Sequence, residues 1–130
     1  MDYQMTMPLA LIVEDNDMNL RLMRDILEMR FEVIAAQRAD EALDLVHDHR
    51  PDVIVTDVQL PGMDGLAFIR RLRADPSTRD VPIVAVSAHA MKQNIDEALA
   101  AGCTWYVTKP LVEDPLVFVD RLADLVATTA

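Results

Sequence analysis

Five short apolar runs recur along the chain, and the stretches between them place apolar residues at helical spacing. The runs are Leu9-Ala10-Leu11-Ile12-Val13, Phe31-Glu32-Val33-Ile34-Ala35, Val53-Ile54-Val55-Thr56, Val81-Pro82-Ile83-Val84-Ala85-Val86-Ser87 and Trp105-Tyr106-Val107-Thr108. Runs that are apolar without alternation suit strands covered on both faces. The second run is shorter and broken by Glu32, which predicts a position nearer a sheet edge. Between the runs, Leu22, Met23, Ile26 and Leu27 predict one buried helical stripe, with Asn16 or Asp17 as its cap. Ala39, Ala42, Leu43 and Val46 predict a second helix that ends near His47 to Arg50, with Pro51 as its stop. Leu66, Ile69 and Leu72 mark a third, followed by Pro76; Ile95, Ala98 and Leu99 mark a fourth, closed by Gly102. Pro115 opens a fifth, with Val119, Leu122 and Val126 on its apolar face.

Strands alternating with helices through the whole chain predict an α/β fold: a parallel sheet with right-handed crossovers and helices on both faces. At 130 residues the chain reads as a single domain. Its core is expected from about residue 8 to 127, with residues 1–7 and 128–130 loose.

Composition narrows the partners. A net charge of −10 argues against direct contact with nucleic acid, which favours a basic face, and makes a divalent cation the more natural partner. The single cysteine, Cys103, has no internal disulfide partner, which fits a reducing cytoplasm. No apolar run approaches the roughly 20 residues of a membrane span, and the N-terminus lacks the basic segment of a signal peptide.

The chemistry is legible at the strand ends. The first strand ends at Glu14-Asp15, the third at Asp57, the fourth at Ser87 and the fifth at Lys109. On its own Asp57 is equally well a turn former. In a parallel sheet, however, all carboxyl ends share one edge, the edge where open α/β sheets bind ligands. Three carboxylates meeting there repel unless a cation sits among them. Oxygen ligands alone suit Mg²⁺, or Mn²⁺, and no His/Cys cluster offers a zinc site. A cation, the Ser87 hydroxyl and the Lys109 ammonium would together cradle a phosphoryl group, with Asp57 as its nucleophile.

Glu14-Asp15, Asp57 with Pro61 and Gly65, Ser87-Ala88, and Tyr106 with Lys109-Pro110 resemble the receiver domain of two-component response regulators, over Leu9 to Val126. Glu14-Asp15-Asn16, Gln59 to Gly65 and Ala90-Met91-Lys92 are also similar to single-domain regulators of the DivK type and to receivers of hybrid kinases. The resemblance implies a doubly wound, CheY-like (βα)5 sheet in order 2-1-3-4-5. It implies phosphotransfer from a phosphohistidine of a sensor kinase or phosphotransfer protein to Asp57. It implies Mg²⁺ on Asp15, Asp57 and the backbone carbonyl of Gln59, with Glu14 acting through water, and a cis Lys109–Pro110 peptide. Ser87 and Tyr106 are the implied switch pair, and Gln59 and His89 occupy the positions that tune phosphoryl lifetime.

Two departures stand out. Ser87 replaces the commoner Thr, keeping the hydroxyl and losing a methyl, and Trp105 stands where many relatives have a small or polar residue. Period-two alternation turns Trp105 away from Tyr106. It is then expected exposed on the edge formed by the fourth helix, fifth strand and fifth helix, beside Phe118 or Val117, as an anchor for an unidentified downstream partner or a homodimer, or lying flat on the local helix. A phosphorylation-controlled module that is not a turnover enzyme, though it catalyses its own phosphorylation and dephosphorylation, is the leading reading. A receiver belonging to a larger protein is the alternative. A phosphotransferase of the haloacid dehalogenase type would want a second Asp where Gln59 stands, and a flavodoxin-like redox protein would place FMN phosphate against Glu14-Asp15-Asn16-Asp17.

Overall fold

Each apolar run becomes a strand whose return path is a helix, so neighbouring strands pair in parallel. The structure, a computed structural model, describes residues 7–109, 111 and 113–129. The strands are β1 (Leu9–Val13), β2 (Glu32–Ala36), β3 (Val53–Asp57), β4 (Ile83–Ser87) and β5 (Trp105–Thr108). They form one five-stranded sheet in the order β2-β1-β3-β4-β5. The helices are α1 (Asp17–Leu27), α2 (Ala39–His49), α3 (Gly65–Ala74), α4 (Lys92–Ala101) and α5 (Pro115–Thr129).

Alternation of side chains along the strands builds two cores. Ile12, Val55, Val86 and their neighbours pack under α1 and α5 around Phe118, while Leu11, Ile54 and Ala85 pack under α2, α3 and α4 around Phe68. Both phenylalanines are fully buried, and each burial stabilises the fold by about 1.5–3 kcal/mol. Register then sets the working edge: Asp57 lies beside Val86, and Ser87 beside Thr108.

Local signals place most ends. The Asn16 side chain accepts the Asn19 N–H at 2.9 Å, so Asn16 rather than Asp17 caps α1. Pro51 disfavours helical backbone before it, and Arg50 turns left-handed (φ 50°) while its N–H still donates to the Val46 carbonyl at 2.9 Å. Pro115 is the first residue of α5, which continues two residues past the expected core limit, to Thr129. Residues 1–6 and 130, expected to be loose, lie outside the described residues. So does Pro110, and with it the geometry of the Lys109–Pro110 peptide. Among the described residues, no helix is long and apolar enough to cross a membrane.

Two expectations about helix faces need correction. Leu22 is 61% exposed, because the stripe α1 turns to the sheet is Leu20, Met23, Ile26 and Leu27, one position off it. Leu99 is 47% exposed, because α4 approaches the sheet through the small residues Ala98 and Ala101.

Arg73 in the last turn of α3 ties three segments together. Its Nε donates to the Gly102 carbonyl at 2.8 Å, and Nη1 donates to the carbonyls of Val81 at 2.6 Å and Arg79 at 3.0 Å. Gly102 closes α4 with φ 119°, and a Cβ there would meet Arg73 Cγ at 2.6 Å, so the left-handed turn and the arginine clasp are mutually fitted. Arg73→Ala is expected to lower stability by about 1.5–3 kcal/mol, the usual contribution of hydrogen bonds from a charged group. Arg73→Lys should rescue little, because an ammonium lacks the planar fork. Urea denaturation checks this; an unchanged midpoint would contradict it.

Candidate functional site

Parallel register brings the strand ends to one rim. Just past β1, the Glu14 N–H donates to the Ala36 carbonyl at 3.0 Å, extending the ladder toward β2 and fixing where its side chain emerges. Asp57 is the last residue of β3. One residue past β5, the Lys109 N–H donates to the Ser87 carbonyl at 2.7 Å. These anchors aim three side chains at a common point. The Lys109 ammonium lies 2.6 Å from Glu14 Oε1 and 2.7 Å from Asp57 Oδ2.

The remaining carboxylate oxygens are held by backbone. The Asn16 N–H donates to Glu14 Oε2 at 3.2 Å, and the Gln59 N–H donates to Asp57 Oδ1 at 2.9 Å. Glu14 is buried. Burial pushes its carboxyl above the usual range, opposed by the bond from Lys109 and reinforced by the charge of Asp57. Burial pulls Lys109 the other way, but its bonds to Asp57 and Glu14 outweigh this, leaving its pKa above the usual lysine value. The ammonium therefore stays charged, as a buried ion pair requires.

The donor set suits a hard divalent cation. Glu14, Asp15 and Asp57 each offer an oxygen, all within 4.8 Å of one another. One ammonium against three carboxylates leaves negative charge at the rim, and an all-oxygen set fits Mg²⁺ or Mn²⁺ better than zinc.

A second layer runs from the rim along β4. Ser87 is buried, and its Oγ accepts the His89 N–H at 3.1 Å. The His89 carbonyl in turn accepts the Tyr106 hydroxyl at 2.6 Å. The Gln59 side chain meets the His89 ring across the mouth of the site. Trp105 faces the opposite side of the sheet from Tyr106 and is half-buried rather than exposed. Its ring centroid is 5.5 Å from that of Phe118, and the Arg121 guanidinium lies 4.9 Å over it.

Gly65, one of the residues that carry the resemblance, has a steric role. A Cβ there would lie 2.5 Å from the Asp57 carbonyl oxygen and from Val58 Cα, while the Gly65 N–H donates to the Val58 carbonyl at 2.7 Å. The start of α3 thus presses directly on the backbone that carries Asp57. A glycine opening a helix soon after a strand-terminal carboxylate was the available signal.

Known proteins are similar to this chain in sequence and in fold. A family model described as the response regulator receiver domain matches residues 10–119. The polar-differentiation response regulator DivK of Brucella anthropi is 42% identical over 103 residues, which cover 78% of this chain and 84% of that protein. Among solved structures, the chemotaxis response regulator CheY4 of Vibrio cholerae superposes with a TM-score of 0.83 at 27% identity, over 92% of this chain and 99% of that one. The receiver domain of a Pseudomonas aeruginosa PAO1 sensor histidine kinase, which holds a magnesium ion in its active-site cleft, gives 0.84 at 28% identity, over 94% and 99%.

Two outcomes follow from this geometry. Asp15→Asn should raise the melting temperature without divalent cation by relieving repulsion of about 1 kcal/mol, and Mg²⁺ should then stabilise the variant less than the parent. Equal stabilisation by Mg²⁺ would remove Asp15 from the ligand set. Gly65→Ala should cost about 1–3 kcal/mol through forced backbone displacement, read by thermal unfolding; an unaltered melting temperature would show that the contact is relieved without strain.

Proposed function

This chain belongs to the response regulator receiver domain family, and we propose that within it Asp57 is the residue that accepts the phosphoryl group. A receiver domain is a phosphorylation-activated signalling switch, not a turnover enzyme, and it works with histidine kinases or phosphotransfer proteins and with downstream targets. The observation that supports the assignment is the bond of Lys109 Nζ to Asp57 Oδ2 at 2.7 Å beside Glu14 and Asp15.

In the proposed step an Asp57 carboxylate oxygen attacks the phosphorus of a phosphohistidine. The new P–O bond forms as the P–N bond breaks, and the imidazole leaves with the bonding pair and takes up a proton. Lys109 neutralises a phosphoryl oxygen, and the Ser87 hydroxyl donates to another. Asp15, Asp57, the Gln59 carbonyl and, through water, Glu14 would hold Mg²⁺, or Mn²⁺ in its place, which would supply charge neutralisation at the phosphoryl oxygens.

The readout begins at Ser87. Drawing its hydroxyl toward the phosphoryl group strains the bond it accepts from His89, whose carbonyl holds Tyr106. Tyr106 and the β4–α4 loop then rearrange together and alter the surface of α4, β5 and α5, where downstream partners or a second copy dock. Gln59 and His89, in contact over the site, govern the approach of water and so the lifetime of the mark. Trp105, half-buried beneath Arg121, contributes to the docking surface. The module operates in the cytoplasm.

A small acyl phosphate donor with Mg²⁺ should add one phosphate to the chain, read by intact mass, and chelation of the metal should prevent it. Asp57→Asn should take up none. A variant that labels like the parent would place the nucleophile elsewhere.

A further inference from the structure

The connection between β2 and α2 touches both of the segments that flank the cation site. Ala36, the last residue of β2, accepts the Glu14 N–H at 3.0 Å, so Gln37 and Arg38 leave the sheet beside the rim. The Gln37 side-chain amide donates to Asp17 Oδ1 at the start of α1, two residues past Asp15. Arg38 reaches the loop between β3 and α3. A Cβ on Gly62 would lie 2.7 Å from Arg38 Nη2, 3.5 Å from its Cζ and 3.9 Å from its Nη1. The guanidinium therefore fills the space against Gly62 that a side chain there would need.

The base of this arm is fixed at the start of α2. The Gln37 N–H donates to Glu41 Oε1 at 2.9 Å, and the Arg38 carbonyl accepts the Ala42 N–H at 3.0 Å. Arg38 Nε donates to Asp40 Oδ1 at 3.2 Å, and the same oxygen accepts the Glu41 N–H at 2.9 Å. With 53% of the Arg38 side chain exposed, this ion pair adds little to global stability. Its consequence is local. Gly62 lies three residues past Gln59, whose N–H bonds Asp57 Oδ1 at 2.9 Å.

We propose that Arg38 is a positioning residue for the cation site. Tethered to Asp40, its guanidinium braces the β3–α3 loop at Gly62 and so holds the Gln59 peptide in place, while Gln37 steadies the start of α1 behind Asp15. The proposal rests on the reading of Asp15, Asp57 and the Gln59 carbonyl as cation ligands. Charge alone predicts the opposite effect. A cationic side chain near the rim repels a divalent cation, so its removal would tighten binding, whereas removal of a brace weakens it.

Backbone ¹⁵N relaxation and Mg²⁺ titration of the full chain, with and without Arg38→Ala, test this. Without cation, the order parameters of Gln59, Leu60, Gly62 and Met63 should fall from near the rigid-backbone value of about 0.85 toward about 0.6 in the variant. Those of β3 should match the parent, which certifies that the variant is folded. Mg²⁺ affinity, read from amide shifts at residues 14–16 and 57–59, should fall about tenfold, the lower end of the loss when support for metal ligands is removed. Arg38→Lys restores the charge without the planar group and should leave the affinity lowered. Unaltered loop order in Arg38→Ala, an Mg²⁺ affinity equal to or above the parent's, or full recovery in Arg38→Lys would each overturn the proposal. A parent that binds no Mg²⁺ at the rim would instead overturn the reading of the cation site, and loop order would still decide whether Arg38 is a brace.

Discussion

The Lys109 ammonium, 2.6 Å from Glu14 Oε1 and 2.7 Å from Asp57 Oδ2, joins groups separated by 95 and 52 residues. Nothing local brings them together; only the parallel sheet does. Charges held away from water are costly unless every one finds a partner, so the arrangement requires β1, β3 and β5 in register to within a residue. A slip of one residue in any of them would turn the side chain to the other face. The two cores serve that register, one phenylalanine anchoring each.

From this point the structure transmits outward along defined contacts. Asp57 is pressed from behind by Gly65 at the start of α3, so loop and helix respond together to anything that moves the carboxylate. Ser87, His89 and Tyr106 form a continuous chain of hydrogen bonds from the rim to β5. Trp105, next along the same strand, turns to the opposite core and leans on Phe118. Adjacent residues of β5 thereby connect the site with both layers of helices, a layout suited to a switch.

Much of this was legible in the chain. Five apolar runs, helical spacing between them and polar residues at four strand ends follow from period and from the geometry of parallel sheets. The strand order was not contained in that pattern; it came from resemblance to receiver domains. Helix rotation was read less well, because spacing defines a stripe only to about one position, and Leu22 and Leu99 fell just outside it. Arg73, and the steric role of Gly65, escaped notice for another reason. Each matters through contact with backbone remote in sequence, and neither a glycine near a loop nor an arginine at a helix end announces that contact.

The central claim is that Glu14, Asp15 and Asp57 form one cation site beside Lys109 and Ser87. Paramagnetic broadening of backbone amide signals by added Mn²⁺ tests it most directly. The account predicts broadening centred on residues 14–16, 57–59, 87–89 and 109, reversed by excess Mg²⁺, with the opposite sheet edge near Leu9 and Asp52 untouched. Broadening centred on the acidic first turn of α2 at Asp40 and Glu41, with the rim unaffected, would contradict it.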